Sequence, residues 1–130
     1  MKTSEIVAAL THGTIDYPDR MEDIGNLEWV QHPACKGVFL KHLIKGSDSE
    51  NSLSCHLVKV EPGAVLAAHI HDPQWELHEV IAGSGSCVLG DKEIAYAPGS
   101  MAVIPQRVTH SVKAGEHGLM WLAKFFPALL

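Results

Sequence analysis

From Leu27 to the end of the chain, hydrophobic and polar positions alternate in short runs rather than in long amphipathic stretches. Segments rich in Val, Ile, Leu and aromatics recur, separated by clusters of Gly, Pro, Asp and Ser. The pattern predicts strands near 27–31, 37–44, 52–61, 65–71, 75–82, 85–89, 93–96, 101–104, 108–113 and 118–126. The breaks fall at Gly46–Ser49, Glu61–Gly63, Asp72–Pro73, Gly83–Gly85, Gly90–Asp91, Ala97–Gly99 and Gly115–Glu116. Each break holds residues that accept a left-handed dihedral or preset φ for a turn. Many short strands at this spacing predict an all-β sandwich or barrel. Upstream, residues 4–10 predict a short helix, capped by Thr3 or Ser4 and followed by Gly13. Residues 11–26 mix turn formers with acids and read as an irregular arm. The expected organisation is an N-terminal arm over 1–26 and one β-barrel domain over 27–130.

Composition narrows the function classes. A chain of 130 residues suits one domain with a real core. The formal net charge of −5, with no Lys/Arg cluster, argues against a nucleic-acid partner. No apolar run is long enough to predict a membrane span. The segment after Met1 carries an acid and lacks the apolar core of a secretory signal, so a cytoplasmic location is expected. Cys35, Cys55 and Cys87 form no C-x-x-C pair and read as reduced, half-buried thiols. The tail Phe125–Leu130 is apolar to its last residue. It is expected to pack on its own barrel or on a second subunit, and a homodimer is the expected assembly.

Nine histidines are many for this length, and histidine is the commonest metal ligand. His69 and His71 are two apart, so on a strand they share a face, with their backbones about 6.5–7 Å apart. Both imidazoles can then converge on one ion. Asp72–Pro73 breaks that strand, so Glu76 must reach the same point from the next one. His110 follows in a strand after Pro105. Three imidazoles and a carboxylate leave two positions of an octahedral ion for water or substrate.

These residues carry a resemblance. Gly63, His69, His71, Glu76 and Gly83 match the first motif of the cupin family: glycine, five residues, H-x-H, four residues, glutamate, six residues, glycine. Gly99, Pro105 and His110 match the second. There Arg107 stands where glycine is usual, and Ala114 where asparagine is usual. The resemblance is to the small single-domain cupins and implies a double-stranded β-helix, or jelly roll. It also implies one divalent metal ion held by His69, His71, Glu76 and His110, with Fe, Mn, Ni, Zn, Co and Cu all found in the family.

Around that centre, His78 shares the face of Glu76 by strict alternation. It is a candidate catalytic base, or else a support that hydrogen-bonds a ligand. Trp75 and Glu79 fall on the opposite face. His56 is a candidate cavity-lining residue, and Arg107 could clamp an anion or simply lie at the surface. Tyr96 and Met101 could line the pocket, yet core packing explains both, and solvation is expected for His12, His32, His42 and His117. Two function classes follow. One is an enzyme acting on a small polar molecule by metal-assisted chemistry, of isomerase, lyase, cyclase, decarboxylase or dioxygenase type. The other is a non-catalytic small-molecule binding or sensing barrel with a structural metal. A regulatory domain of a transcription factor is disfavoured, because no helix-turn-helix segment accompanies the strands.

Overall fold

The protein is represented by a computed structural model that describes residues 3–130. It has one helix, α1 (Thr3–His12), and ten strands. The strands are β1 (Thr14–Asp16), β2 (Met21–Asp23), β3 (Val30–Gln31), β4 (Val38–Ile44), β5 (Ser54–Val60), β6 (Val65–His69), β7 (Trp75–Leu89), β8 (Lys92–Tyr96), β9 (Met101–Ile104) and β10 (His110–Phe126). The helix already includes Thr3 and Ser4, so neither is its cap. No helix among the described residues is long and apolar enough to cross a membrane.

Two long strands organise the fold. The first half of β7 pairs with β9 and with the second half of β10. Its second half pairs with β8 and with the first half of β10. Likewise β10 pairs first with β6 and later with β5, which continues to β4 and β3. Every pairing is antiparallel. The result is a rolled double sheet of jelly-roll type, in which β7 and β10 pass through both layers and no hydrogen-bonded ladder closes the outer edges.

The sequence breaks at 83–85 and 115–116 therefore mark corners within single strands, not strand ends. Gly83 and Gly118 both have positive φ, and the register shifts between Ala114 and Leu119. A Cβ on Gly83 would overlap the Gly118 carbonyl oxygen.

The main core fills the space between the layers, with Val38, Val58, Val80, Tyr96 and Trp121 among its buried residues. A second cluster of Ile24, Leu43, Cys55 and Leu57 lies under the N-terminal residues. With both faces covered, β5 is buried along almost its whole length. Residues 11–26 are thus not irregular: β1 and β2 form a small hairpin, and a 3₁₀ turn over Ile24–Asn26 carries Ile24 into the second cluster. All three cysteines are free and fully buried rather than half-buried. The tail packs on its own chain. Leu129 N–H donates to Ser54 Oγ, Ala128 N–H to Asn51 O, and Gly46 N–H to Leu130 O. Met101 is 61% exposed, so core packing does not account for it.

His42, expected in solvent, is half-buried, with its Nδ1 2.8 Å from Nδ1 of the fully buried His56. His56 Nε2 bonds Ser54 Oγ at 2.9 Å, and its ring packs edge-on against Phe125. His56 therefore sits behind the cavity wall rather than in it. Burial, with the neighbouring His42, pushes its pKa down to about 4.

Two predictions follow. Gly83→Ala should lose at least about 2 kcal/mol from left-handed strain and overlap, measured by chemical denaturation; wild-type stability would contradict the corner. His56 has a depressed folded pKa, so its contribution is complete above about 6.5 and declines as pH falls toward 4. A full loss of about 3 kcal/mol is expected at the acid end, and His56→Gln should flatten that part of the stability–pH curve.

Candidate metal centre

His69 ends β6, His71 lies two residues beyond it, Glu76 is the second residue of β7, and His110 opens β10. The strand predicted to reach residue 71 stops at 69, and the turn that follows contains a cis Asp72–Pro73 bond. The register then closes the group, because His110 pairs directly with His69. One ligand-type atom from each of His69, His71, Glu76 and His110 lies within 4.8 Å of the others, so the group could hold a metal ion.

Hydrogen bonds fix which nitrogens face inward. His69 Nδ1 donates to Ala67 O at 2.7 Å, and His110 Nδ1 donates to Val108 O at 3.1 Å. Each ring is thereby left with a lone pair on Nε2, the orientation a metal ligand needs. Glu76 Oε1 lies 3.0 Å from His110 Nε2 and 3.5 Å from His71 Nε2. Yet Glu76 Oε1 and His110 Nε2 are both buried and have only each other at 3.0 Å, which leaves both unsatisfied while the His110 ring is neutral. Orphaned buried polar atoms are costly. A cation shared by these lone pairs would satisfy both at once, so the donor set fits a divalent ion.

Electrostatics agree with that use. Burial favours a neutral Glu76, but contacts with His110 and His78 outweigh it and hold the carboxyl well below its usual range. Burial lowers His69, and lowers His71 to about 4, which keeps both rings neutral near pH 7. For His110, burial opposes the charged form, but the Glu76 carboxylate prevails and raises the pKa, so without an ion a proton on Nε2 is favoured, and a bound cation would take that proton's place.

His78 is fully buried, and both of its nitrogens are engaged. Nε2–H donates to Glu76 Oε2 at 2.7 Å, and Nδ1 accepts from the Tyr96 hydroxyl at 2.8 Å. Trp121 packs against the same ring. A chain of Tyr96, His78 and Glu76 therefore holds the carboxylate so that its other oxygen faces the three histidines. Sequence reasoning weighed Tyr96 as pocket-lining or core and missed its bond to His78, since nothing in its spacing separates a core tyrosine from a partner of His78.

The cavity beside the four has a volume of about 90 Å³. His32, expected in solvent, is half-buried and lines it. Arg107 does not reach it: the side chain is exposed and lies 3.4 Å from Asp72. Its backbone has a φ of 64°, which explains why glycine is usual there, and its N–H donates to His71 O, steadying the ligand turn. His12 and His117 are exposed, as expected. A larger groove of about 320 Å³, between α1 and the sheet, is lined by Val7, Lys59, Glu61 and His117 and lies apart from the four.

A jelly roll with three histidines and a glutamate converging inside it defines a class of metal-site barrels. The family described as the cupin domain matches residues 56–123, and the chain belongs to that family. Solved structures share the fold. KdgF from Halomonas sp. is 23% identical, with 77% of this chain and 87% of that one covered and a TM-score of 0.68. A predicted oxalate decarboxylase from Thermotoga maritima is 21% identical, with 79% and 95% covered and a TM-score of 0.72. Bacillus subtilis oxalate decarboxylase, a protein with Mn(II) centres, is 19% identical, with 82% of this chain but only 29% of that one covered and a TM-score of 0.71. No curated protein matches the chain.

Tyr96→Phe should leave His78 Nδ1 buried and unpaired, at a cost of about 1–3 kcal/mol in denaturation of the metal-free protein. An unchanged midpoint would show that Tyr96 does not support the centre.

Proposed function

We propose that the protein is a metal-dependent enzyme that holds one divalent ion through His69, His71, Glu76 and His110 and acts on a small polar molecule. The reaction class is isomerase, lyase, cyclase, decarboxylase or dioxygenase. The single observation that carries this is the convergence of one ligand-type atom from each of the four residues to within 4.8 Å, with Glu76 Oε1 and His110 Nε2 buried. When bound, such an ion supplies Lewis-acid polarisation of a carbonyl or carboxylate oxygen, or dioxygen chemistry if it is Fe(II). The chain's own part is to orient and to exclude water. Glu76 and the histidines fix the centre, Trp121 and Phe125 wall the cavity beside it, and His71 lies where the site meets solvent. With both nitrogens engaged and no exposure, His78 acts through Glu76 as a positioning residue rather than as the catalytic base.

The Mn(II) centres of the Bacillus subtilis protein support manganese as one candidate. A second reading, a non-catalytic binding or sensing barrel, is favoured by one observation. Among the described residues lining the cavity, His32 is the one titratable side chain outside the four. The assignment of residues 1–26 as an arm and 27–130 as the barrel belongs to the same proposal. So does a homodimer, favoured by the exposed Trp75, Val103 and Phe126 on neighbouring strands. Residence in a reducing cytoplasm is favoured by the three free cysteines.

The test is elemental analysis of protein purified without chelators or nickel resin. Wild type should carry about one ion per chain, and His69→Ala or His110→Ala should lose most of it. His78→Ala should still bind at saturating metal, but roughly 10–100-fold more weakly. Stoichiometric metal in both ligand variants would defeat the proposal.

A further inference from the structure

The cavity walls say what kind of molecule the centre can accept. Leu40, Val58, Leu66, Trp121, Phe125 and Leu129 line it, and none of the described residues that do so is Lys or Arg. The cations on the strands around it do not enter it: on β10, Lys124 pairs with Glu79 and Lys113 is exposed. Lys41 Nζ donates to Ile24 O and sits over Trp29, and Lys59 lies over Trp29 and Phe39. Arg107 is held at the surface by Asp72. Any charge carried into the cavity must therefore be balanced by the metal centre alone.

That balance is fixed by the ligand set. A divalent ion with three neutral imidazoles and one carboxylate leaves a net charge of +1. A monoanionic head group brings the centre to neutrality. A second anionic group would either lie against leucine, valine and phenylalanine with no partner or, chelated to the ion, leave the centre with a net charge of −1 inside the same apolar walls, and both are strongly unfavourable. Size adds a second limit. An apolar cavity of roughly 150 Å³ takes benzene, and this one measures about 90 Å³.

We infer that the site selects a compact monoanion, such as a short monocarboxylate or an enolate, with its charged oxygens on the metal and an uncharged aliphatic body against the walls. Dianionic ligands are excluded. His32 offers the body one hydrogen bond. Its Nδ1 accepts from the Ala34 and Cys35 amides at 3.1 Å each, so the proton of the neutral ring stands on Nε2. This inference rests on the metal reading above and deepens it.

Isobutyrate and malonate separate the possibilities. Both present a carboxylate, and malonate is the stronger chelator of divalent ions in water. Binding is measured by calorimetry on Mn²⁺-loaded and metal-free protein, with metal content assayed before and after. The expected result reverses the aqueous order: isobutyrate binds the loaded protein at least about tenfold more tightly than malonate, and binding is lost without metal. Malonate binding as tightly as isobutyrate, neither ligand binding the loaded protein, or isobutyrate binding equally without metal would each overturn the inference while the metal reading stands. Failure of the protein to take up Mn²⁺ would remove the metal reading itself.

Discussion

A carboxylate buried in an apolar interior has to be compensated, and most of this molecule can be understood from how Glu76 meets that demand. At 5% exposure it gains little from solvent. One oxygen is settled by the Nε2–H of His78. The other faces Nε2 of His110 at 3.0 Å and of His71 at 3.5 Å, and in neutral His110, whose Nδ1–H donates to Val108, a lone pair points toward it. Such an arrangement is unfavourable by itself and favourable around a cation. A metal ion is the counter-charge that the proposed function supplies.

The fold supplies this geometry through two strands that change layer. Glu76 and His78 stand on the first half of β7, while His110 opens the first half of β10, which pairs with the far half of β7. The corners at Gly83 and Gly115–Gly118 let both strands cross over, and β6 then lays His69 beside His110. A single flat sheet could not bring these positions to one point, because residues so far apart in register would be separated along the strands. The jelly roll is thus a requirement of the site as well as its container.

Much of this was legible in the sequence, for identifiable reasons. The H-x-H spacing and the Asp72–Pro73 break mark His69, His71 and Glu76, since spacing and turn chemistry are local properties, whereas His110 stood out through its match to the second family motif. The turn residues also mark nearly every strand. What they do not reveal is continuity: a glycine cluster looks the same whether the chain reverses or bends, so β7 and β10 each read as two strands. The hairpin of β1 and β2 was obscured by its brevity, although Pro18–Asp19 is a turn signal. The partnership of Tyr96 with His78 and the place of His32 at the cavity arise from tertiary contacts, which no periodicity encodes. Arg107 is the instructive case: the departure from the family's glycine marks a left-handed position that arginine occupies while its backbone N–H donates to the ligand turn.

The central claim is that one cation completes the group around Glu76. Anomalous diffraction from crystals of the protein as purified, recorded on either side of the metal absorption edge, tests it directly. A single peak is expected about 2.0–2.2 Å from Nε2 of His69, His71 and His110 and from Glu76 Oε1. A map without a peak there, or with its peak among the exposed histidines, would contradict the account.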